Sequence, residues 1–286
     1  MRRRIDTGYF KGWYFKCCNG EKTVAFIPAY HIYNGKKNAS LQIITDDAAY
    51  NLPFGSLEYR TKPLSVKIGN CFFGEAGIFG KLDSGDVTFD AALSFHSVSP
   101  IAYDIMGPFA LVPFMQCRHS VYSMAHTVDG HLTLNGRYYD FENGIGYIEG
   151  DRGSSFPEKY IWTQCCFENG SLMLSVADIP MLGSCFTGII GIVMVNGKEH
   201  RIATYLGAGI KRIGDRSVTV GQGGYEFTAE LLEKNALPLR APSNGNMSRT
   251  IHESASCKAH YRFLYKGRVL CEFFSDKAGF EFEYGC

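Results

Sequence analysis

The sequence predicts an all-β protein built from two packed antiparallel β-barrels, and the turns and the strand patterns carry that prediction. Asn-Gly and Asp-Gly pairs suit the two positive-φ positions of a tight hairpin turn. They begin at Asn19, Asn34, Asp129, Asn135, Asn143, Asn169, Asn196 and Asn244. Short runs rich in aromatic and β-branched residues separate them, for example 23–33, 121–128 and 160–167. Only Ala229–Ala236 has the pattern of a helix.

A third observation is an internal repeat. Trp13-Tyr-Phe-Lys-Cys-Cys and Trp162-Thr-Gln-Cys-Cys are each followed by Asn-Gly, an apolar strand and a proline. The copies begin about half a chain apart, and each half has the size of one up-and-down barrel that holds one small ligand. We therefore expect a duplicated architecture with domains 1–142 and 143–286, divided at the turn expected near Asn143.

Composition narrows the classes of function. A formal net charge of +1 over 286 residues provides no field for collecting phosphates, so nucleic acid is not an expected partner. No apolar stretch is long enough for an integral membrane segment, and peripheral membrane contact stays open. The basic start lacks the apolar core of a secretory signal, so we expect a cytoplasmic protein whose ten cysteines are free thiols.

Common catalytic and cofactor motifs are absent from the sequence. It contains no G-x-S-x-G, G-x-x-x-x-G-K, G-x-G-x-x-G or H-E-x-x-H pattern, and no cysteine pair has C-x-x-C spacing. His119 and His126 fall on opposite faces of a regular strand. We therefore expect neither a cofactor nor a metal site.

The stretch Pro100–Met115 is apolar but contains three prolines, which exclude a regular central strand. It is expected either as a loop packed over a core or as a flap across a barrel mouth.

Three segments carry a resemblance to a known family: YFKGWYFK at 9–16, MGPFALVPFMQCRHSVYSMAH at 106–126 and GIGYIEGDRGSSFPEKYIWTQC at 144–165. Together they resemble the tocopherol cyclase-like family, which is similar to the carotenoid hydratases and other two-barrel, lipocalin-like isomerases. The resemblance implies two lipocalin-like barrels and an isomerase or cyclase acting on a lipophilic, isoprenoid or quinol-like molecule. Arg152 stands where relatives often have Trp, which bears on the substrate more than on the fold.

The residues fit such a reaction. Ring closure of a prenylated hydroquinone needs a proton delivered to an alkene, and a carboxyl group in an apolar pocket stays protonated because desolvation disfavours its charged form. Glu149 and Asp151 are two residues apart, so on a strand both point to the side of Tyr147. They are the candidate catalytic residues. The candidate substrate-binding residues are Trp13, Tyr14, His119, Tyr122, Trp162 and Gln164.

Each candidate also has a structural interpretation. The two carboxylates could pair with Arg152 or Lys159, and the two tryptophans could close barrel bottoms. The alternative function is a non-catalytic carrier of a hydrophobic small molecule, and a third is a structural protein whose barrels are filled by their own side chains. The sequence leaves the ligand, the working half and the oligomeric state open.

Overall fold

The computed structural model describes residues 8–113, 115–181, 184–233 and 236–284. Strands make up 74% of the chain and form two large antiparallel sheets, which confirms the predicted fold class. In each sheet, the strand that comes first in the sequence pairs with the strand that comes last. The two sheets therefore have the same connectivity. No helix in the described part of the chain has the length and hydropathy to cross a lipid bilayer.

The first sheet contains eleven strands among the described residues, in the order β4-β3-β2-β1-β11-β10-β9-β8-β7-β6-β5. Their bounds are β1 Tyr9–Cys18, β2 Thr23–Tyr33, β3 Lys36–Thr45, β4 Ala49–Phe54, β5 Glu58–Thr61, β6 Leu64–Ile68, β7 Cys71–Gly74, β8 Gly77–Asp83, β9 Thr88–His96, β10 Cys117–Leu134 and β11 Arg137–Gly153.

The second sheet contains ten described strands, in the order β15-β14-β13-β12-β21-β20-β18-β17-β16, with β19 paired to β20. Their bounds are β12 Tyr160–Phe167, β13 Gly170–Met181, β14 Ser184–Val195, β15 Lys198–Ala203, β16 Gly209–Gly214, β17 Ser217–Gln222, β18 Tyr225–Glu233, β19 Leu237–Ser243, β20 Asn246–Tyr265 and β21 Arg268–Phe282. Short 3₁₀ turns span Gly107–Leu111 and Thr204–Leu206.

The chain forms two compact units. The first comprises the described residues of 1–100, 115–156 and 238–251, and the second those of 101–114, 157–237 and 252–286. Each unit has its own apolar core. In the first, Phe73 of β7 lies 5.8 Å from Phe15 of β1 and 5.7 Å from Phe26 of β2, measured between ring centroids. Side chains of strands that lie far apart in the strand order therefore meet and fill the interior of this barrel.

The expected turn chemistry produces hairpins at four sites. At Asn34, Asn135, Asn196 and Asn244 both the asparagine and the following glycine have positive φ. At Asn143 the same dipeptide produces a bulge instead. The Asn143 backbone N–H donates to Asp129 Oδ1 at 2.7 Å, and the β10–β11 register shifts between Val128 and Gly130. The division expected at 142/143 therefore falls inside β11, which stays paired with β1 and β10.

One further expectation is wrong, and for another the structure shows the local conformation. Ala229–Glu233 belongs to strand β18, so the helix predicted at Ala229–Ala236 is wrong over its described residues. Pairing of β18 with β17 and β20 outweighs the local helical pattern. The described residues of Pro100–Met115 form a loop with one 3₁₀ turn, and residues 101–113 lie in the second unit. Phe109 packs 5.7 Å from Phe186 and 5.8 Å from Tyr205 between ring centroids.

Candidate functional site

A polar cluster lies on one face of β11 and its two neighbouring strands. The β1–β11 pairing is unbroken from Phe10–Gly153 to Cys18–Ile145, so alternation holds throughout. It puts Tyr147, Glu149 and Asp151 on one face, as the sequence pattern predicted. Across the other neighbour, β10, His119 is directly opposite Asp151. The sheet therefore brings His119 to the two carboxylates.

His119 lies between the two acids. Its Nδ1 is 2.9 Å from Asp151 Oδ1, and its Nε2 is 3.1 Å from Glu149 Oε2. The Nδ1 contact has hydrogen-bond geometry, whereas the Nε2–H is not aimed at the Glu149 oxygen. We therefore treat the second contact as attraction between charges rather than as a linear hydrogen bond. Both acids thus contact an imidazole, whereas the alternative pairing with Arg152 or Lys159 does not occur among the described residues.

This environment fixes the charge of His119. Burial lowers the pKa of its imidazole, but the Glu149 and Asp151 carboxylates outweigh burial and raise the pKa well above its usual value. His119 is therefore an imidazolium at neutral pH. The cluster thus holds a cationic ring between two carboxylic side chains.

Two further groups complete the cluster. The Tyr147 hydroxyl donates to Glu149 Oε2 at 2.5 Å, and the Cys117 thiol donates to Asp151 Oδ1 at 3.6 Å. Burial and the nearby Asp151 raise the pKa of Cys117 well above its usual value, so the thiol stays neutral.

Access to the cluster is uneven. The side chains of His119 and Glu149 are 8% and 6% exposed, whereas that of Asp151 is 23% exposed. Asp151 is therefore the more accessible of the two acids. Tyr14, an expected substrate-binding residue, is directly opposite Glu149 on β1 and is 7% exposed.

The same donors meet the first requirement of a metal site, since one ligand atom from each of His119, Glu149 and Asp151 lies within 4.8 Å of the others. However, the two imidazole nitrogens face different carboxylates. A single ion can use only one of these nitrogens, so binding by all three residues would take the other nitrogen's carboxylate away from it. The arrangement favours a proton-bearing cluster over a metal centre.

The opposite face of the same strands carries a cleft of about 230 Å³. Trp13 is directly opposite Gly150 in the β1–β11 register, so it points away from the polar cluster and into the first core. The cleft is bordered by Trp13, Tyr122, Lys11 and the segment 150–152. Burial raises the pKa of Tyr122, and the neighbouring Trp13 indole acts in the opposite direction. Trp13 and Tyr122 therefore line a different cavity from the one expected for the catalytic acids.

The remaining two expected binding residues belong to the second unit. Trp162 and Gln164 are 5% and 1% exposed and occupy alternate positions of β12, opposite Glu281 and Gly279 of β21. The Tyr160 hydroxyl donates to Glu281 Oε2. Trp162 and Gln164 thus share a face with a buried carboxylate of their own unit.

The repeat explains why the two tryptophans differ. Trp13 precedes its Cys-Cys pair by four residues and Trp162 by three. Cys17 and Cys165 are both fully buried in their cores, so the cysteines are the equivalent positions. A one-residue change of spacing moves a side chain to the other face of a strand. Tyr14, not Trp13, is therefore the counterpart of Trp162.

Sequence reasoning missed Cys117 and Lys11 as site residues. Cys117 precedes His119 by two residues, so the i, i+2 spacing that singled out Glu149 and Asp151 would have included it. Lys11 precedes Trp13 by two residues within the YFKGWYFK segment, and it borders the cleft beside that side chain.

Solved structures share this architecture over nearly the whole chain. A putative AttH from Nitrosomonas europaea is 11% identical with a TM-score of 0.51, covering 98% of this chain and 96% of its own. Kievitone hydratase from Nectria haematococca is 11% identical with a TM-score of 0.57, covering 97% and 89%. CghA is 8% identical with a TM-score of 0.63, covering 96% and 88%.

The likeness shows the fold. This chain has the same two-barrel, lipocalin-like fold as these neighbours. No family model matches the chain. No curated protein sequence matches it either.

Proposed function

We propose that this protein is a cofactor-free acid–base catalyst that isomerises or cyclises a lipophilic, prenylated small molecule at the His119–Glu149–Asp151 cluster. The observation that carries the proposal is the buried His119 ring held between the Glu149 and Asp151 carboxyl groups, of which that of Asp151 is partly exposed. The segment that contains both acids is also the one that most resembles the tocopherol cyclase-like family. Kievitone hydratase, which has the same fold, is a hydratase by name.

The cluster can supply the proton that such a reaction needs. When a lipophilic substrate covers Asp151 it excludes water, and the lower dielectric penalises the His119–Asp151 ion pair. Transfer of the Nδ1 proton over the 2.9 Å contact removes both charges and leaves Asp151 as a neutral acid. That acid protonates the alkene of the substrate. Glu149, fixed by the Tyr147 hydroxyl, stays beside the ring.

The reaction is balanced without an oxidant or a reductant. The proton adds to one alkene carbon, and the other becomes a tertiary cation. A phenol oxygen of the same molecule bonds to that carbon and loses its proton to the Asp151 carboxylate, which returns it to His119. The product is an isomer of the substrate, and the enzyme regains its initial protonation state.

The filled core of the first barrel weighs against the alternative of a non-catalytic carrier. A lipocalin-type carrier holds its ligand inside the barrel, where Phe15, Phe26 and Phe73 meet in this protein. The polar cluster is on the outer face of the same sheet, because Glu149 and Asp151 alternate with residues of the core. The observed geometry thus favours chemistry at the outer face over storage inside.

The test is conversion of a defined substrate by the purified protein. Geranylhydroquinone is incubated with it in H₂O and in D₂O, and products are separated by liquid chromatography and mass spectrometry. We expect a product of unchanged mass in H₂O and one carbon-bound deuterium in D₂O. Asp151→Asn and Glu149→Gln should each lower turnover by about 10²-fold or more, the scale for loss of a general acid or its partner.

Two exposed acids on the same strand provide matched controls. Asp140→Asn and Glu142→Gln change the same chemical groups on β11 outside the cluster, and they should retain full turnover. Binding of the quinol without conversion would support the carrier instead. Turnover that survives both cluster substitutions, or that stops when metal ions are removed by chelation, would contradict acid catalysis by this cluster.

A further inference from the structure

The cleft on the core face of β1 and β11 carries two cations side by side. Lys11 and Arg152 are directly opposite each other in the β1–β11 register, so both side chains leave the sheet on the Trp13 face. Both border the cleft, with the exposed Lys62 as a third cation. Among the described residues, neither Lys11 nor Arg152 has a carboxylate within ion-pair distance. Asp151 also borders the cleft, but its carboxylate binds His119 on the other face.

This arrangement of cations is unfavourable by itself. Lys11 is 7% exposed, and its Nζ lies 4.2 Å from the ring centroid of Tyr59 and 5.2 Å from that of Trp13. Aromatic faces compensate a buried ammonium only in part. Burial, and after it the charge of Arg152, lowers the pKa of Lys11. A buried cation without a counter-ion beside a second cation is unfavourable unless an anion occupies the space between them.

The walls of the cleft indicate what the anion is attached to. Trp13 and Tyr122 present apolar aromatic surface next to the cations, and Ser120 and Thr61 add hydroxyl groups. The guanidinium of Arg152 can bind the two oxygens of a carboxylate with two parallel hydrogen bonds. The volume of about 230 Å³ lies below the range of drug-sized pockets, so it suits one ring or a short chain with its acid group.

We propose that this cleft binds a small organic carboxylate with a flat apolar body, such as an aryl or enoyl acid, between Lys11 and Arg152 and against Trp13. The site is separate from the acid–base cluster, since the two lie on opposite faces of β11. It stands or falls independently of the proposed reaction.

The test uses 4-fluorocinnamate as the probe, and its binding to the protein is followed by ¹⁹F NMR. We expect saturable line broadening that yields a dissociation constant. Lys11→Met and Arg152→Gln should each weaken binding by at least about 10-fold, as expected for loss of a charge-assisted hydrogen bond. Lys37→Met and Arg212→Gln remove exposed cations elsewhere and should leave the constant unchanged.

Further measurements distinguish binding of a carboxylate from binding to an apolar cleft or of phosphate. The neutral 4-fluorocinnamamide should bind at least about 10-fold more weakly than the acid. Equal binding of the amide would mean an apolar cleft and would overturn the proposal, as would a carboxylate constant unaffected by Lys11→Met and Arg152→Gln. Competition by inorganic phosphate alone, without binding of the carboxylate, would also overturn it. Because Lys11→Met removes an uncompensated buried charge, its melting temperature without ligand should equal or exceed that of the parent. A lower melting temperature of Lys11→Met would mean that Lys11 has a structural role instead.

Discussion

His126 should make the protein lose stability as the pH falls from 7 to 5. The Ser123 hydroxyl donates to the Ala125 carbonyl and accepts from the Ser99 N–H, so we assign the proton of the neutral ring to Nδ1, which donates to Ser123 Oγ at 3.0 Å. Nε2 is buried without a hydrogen-bond partner among the described residues. Protonation would place an unpaired charge there, and this burial lowers the pKa of His126 to about 4.

The sign and size of the effect follow from proton linkage. Below pH 6.5 the unfolded chain protonates this histidine, whereas the folded protein does not until about pH 4. The unfolded state therefore binds more protons in that window, and the free energy of unfolding falls as the pH falls. The loss attributable to His126 is about 2 kcal/mol between pH 7 and pH 5, and about 3 kcal/mol once the pH is below 4.

The assay is urea unfolding at several pH values between 7 and 4, on the parent protein and on His126→Asn. The variant loses the ring contact with Phe95, whose centroid lies 4.4 Å away, so it should be less stable at pH 7. The difference between the two pH profiles isolates His126 from the carboxylates. The variant should lose about 2 kcal/mol less than the parent between pH 7 and pH 5. Parallel profiles would refute the buried neutral imidazole.

Three further predictions concern packing and anchoring. Phe73→Ala should lower the free energy of unfolding by about 3–5 kcal/mol because Phe73 fills the first core, whereas the 73%-exposed Phe274→Ala should cost under about 1 kcal/mol in the same urea assay. Tyr147→Phe should lower the free energy of unfolding by about 1.5–3 kcal/mol because the buried hydrogen bond to Glu149 is lost. Tyr138→Phe, at an exposed position of the same strand, should leave that free energy unchanged. Equal effects of the two substitutions would contradict the hydrogen bond from Tyr147 to Glu149. Arg201 donates to the backbone carbonyls of Tyr103 and Asp104, so Arg201→Lys should speed proteolytic cleavage within residues 101–113, while unchanged cleavage would show that this anchor is dispensable.

The sequence predicted the fold class because turn dipeptides and strand alternation are local signals. It misassigned Asn143 as a turn because positive φ serves bulges as well as hairpins, and only the Asp129 side chain on the facing strand distinguishes them. The helix over Ala229–Ala236 failed for a related reason. Its local pattern is overruled by strands β17 and β20, which are distant neighbours that a single segment does not reveal.

In the candidate site, too, local features were predictable from the sequence and contacts between strands were not. The shared face of Tyr147, Glu149 and Asp151 follows from residue spacing alone, and the contact between Tyr147 and Glu149 agrees with it. The position of His119 between the acids depends on the β10–β11 register, which shifts three times along the hairpin. Strand pairing at this distance in sequence is set by tertiary packing. The sequence therefore predicts His119 as a candidate pocket residue but not as the partner of the acids.

The most direct test of the account is the protonation state of His119. Long-range ¹H–¹⁵N NMR spectra of protein labelled at histidine, assigned with His119→Gln, report whether each ring nitrogen carries a proton. Because both carboxylates raise the pKa of His119 well above its usual value, we predict that both nitrogens are protonated at pH 7. A neutral ring at pH 7 would mean that the cluster holds no imidazolium, and it would contradict the proposed proton source.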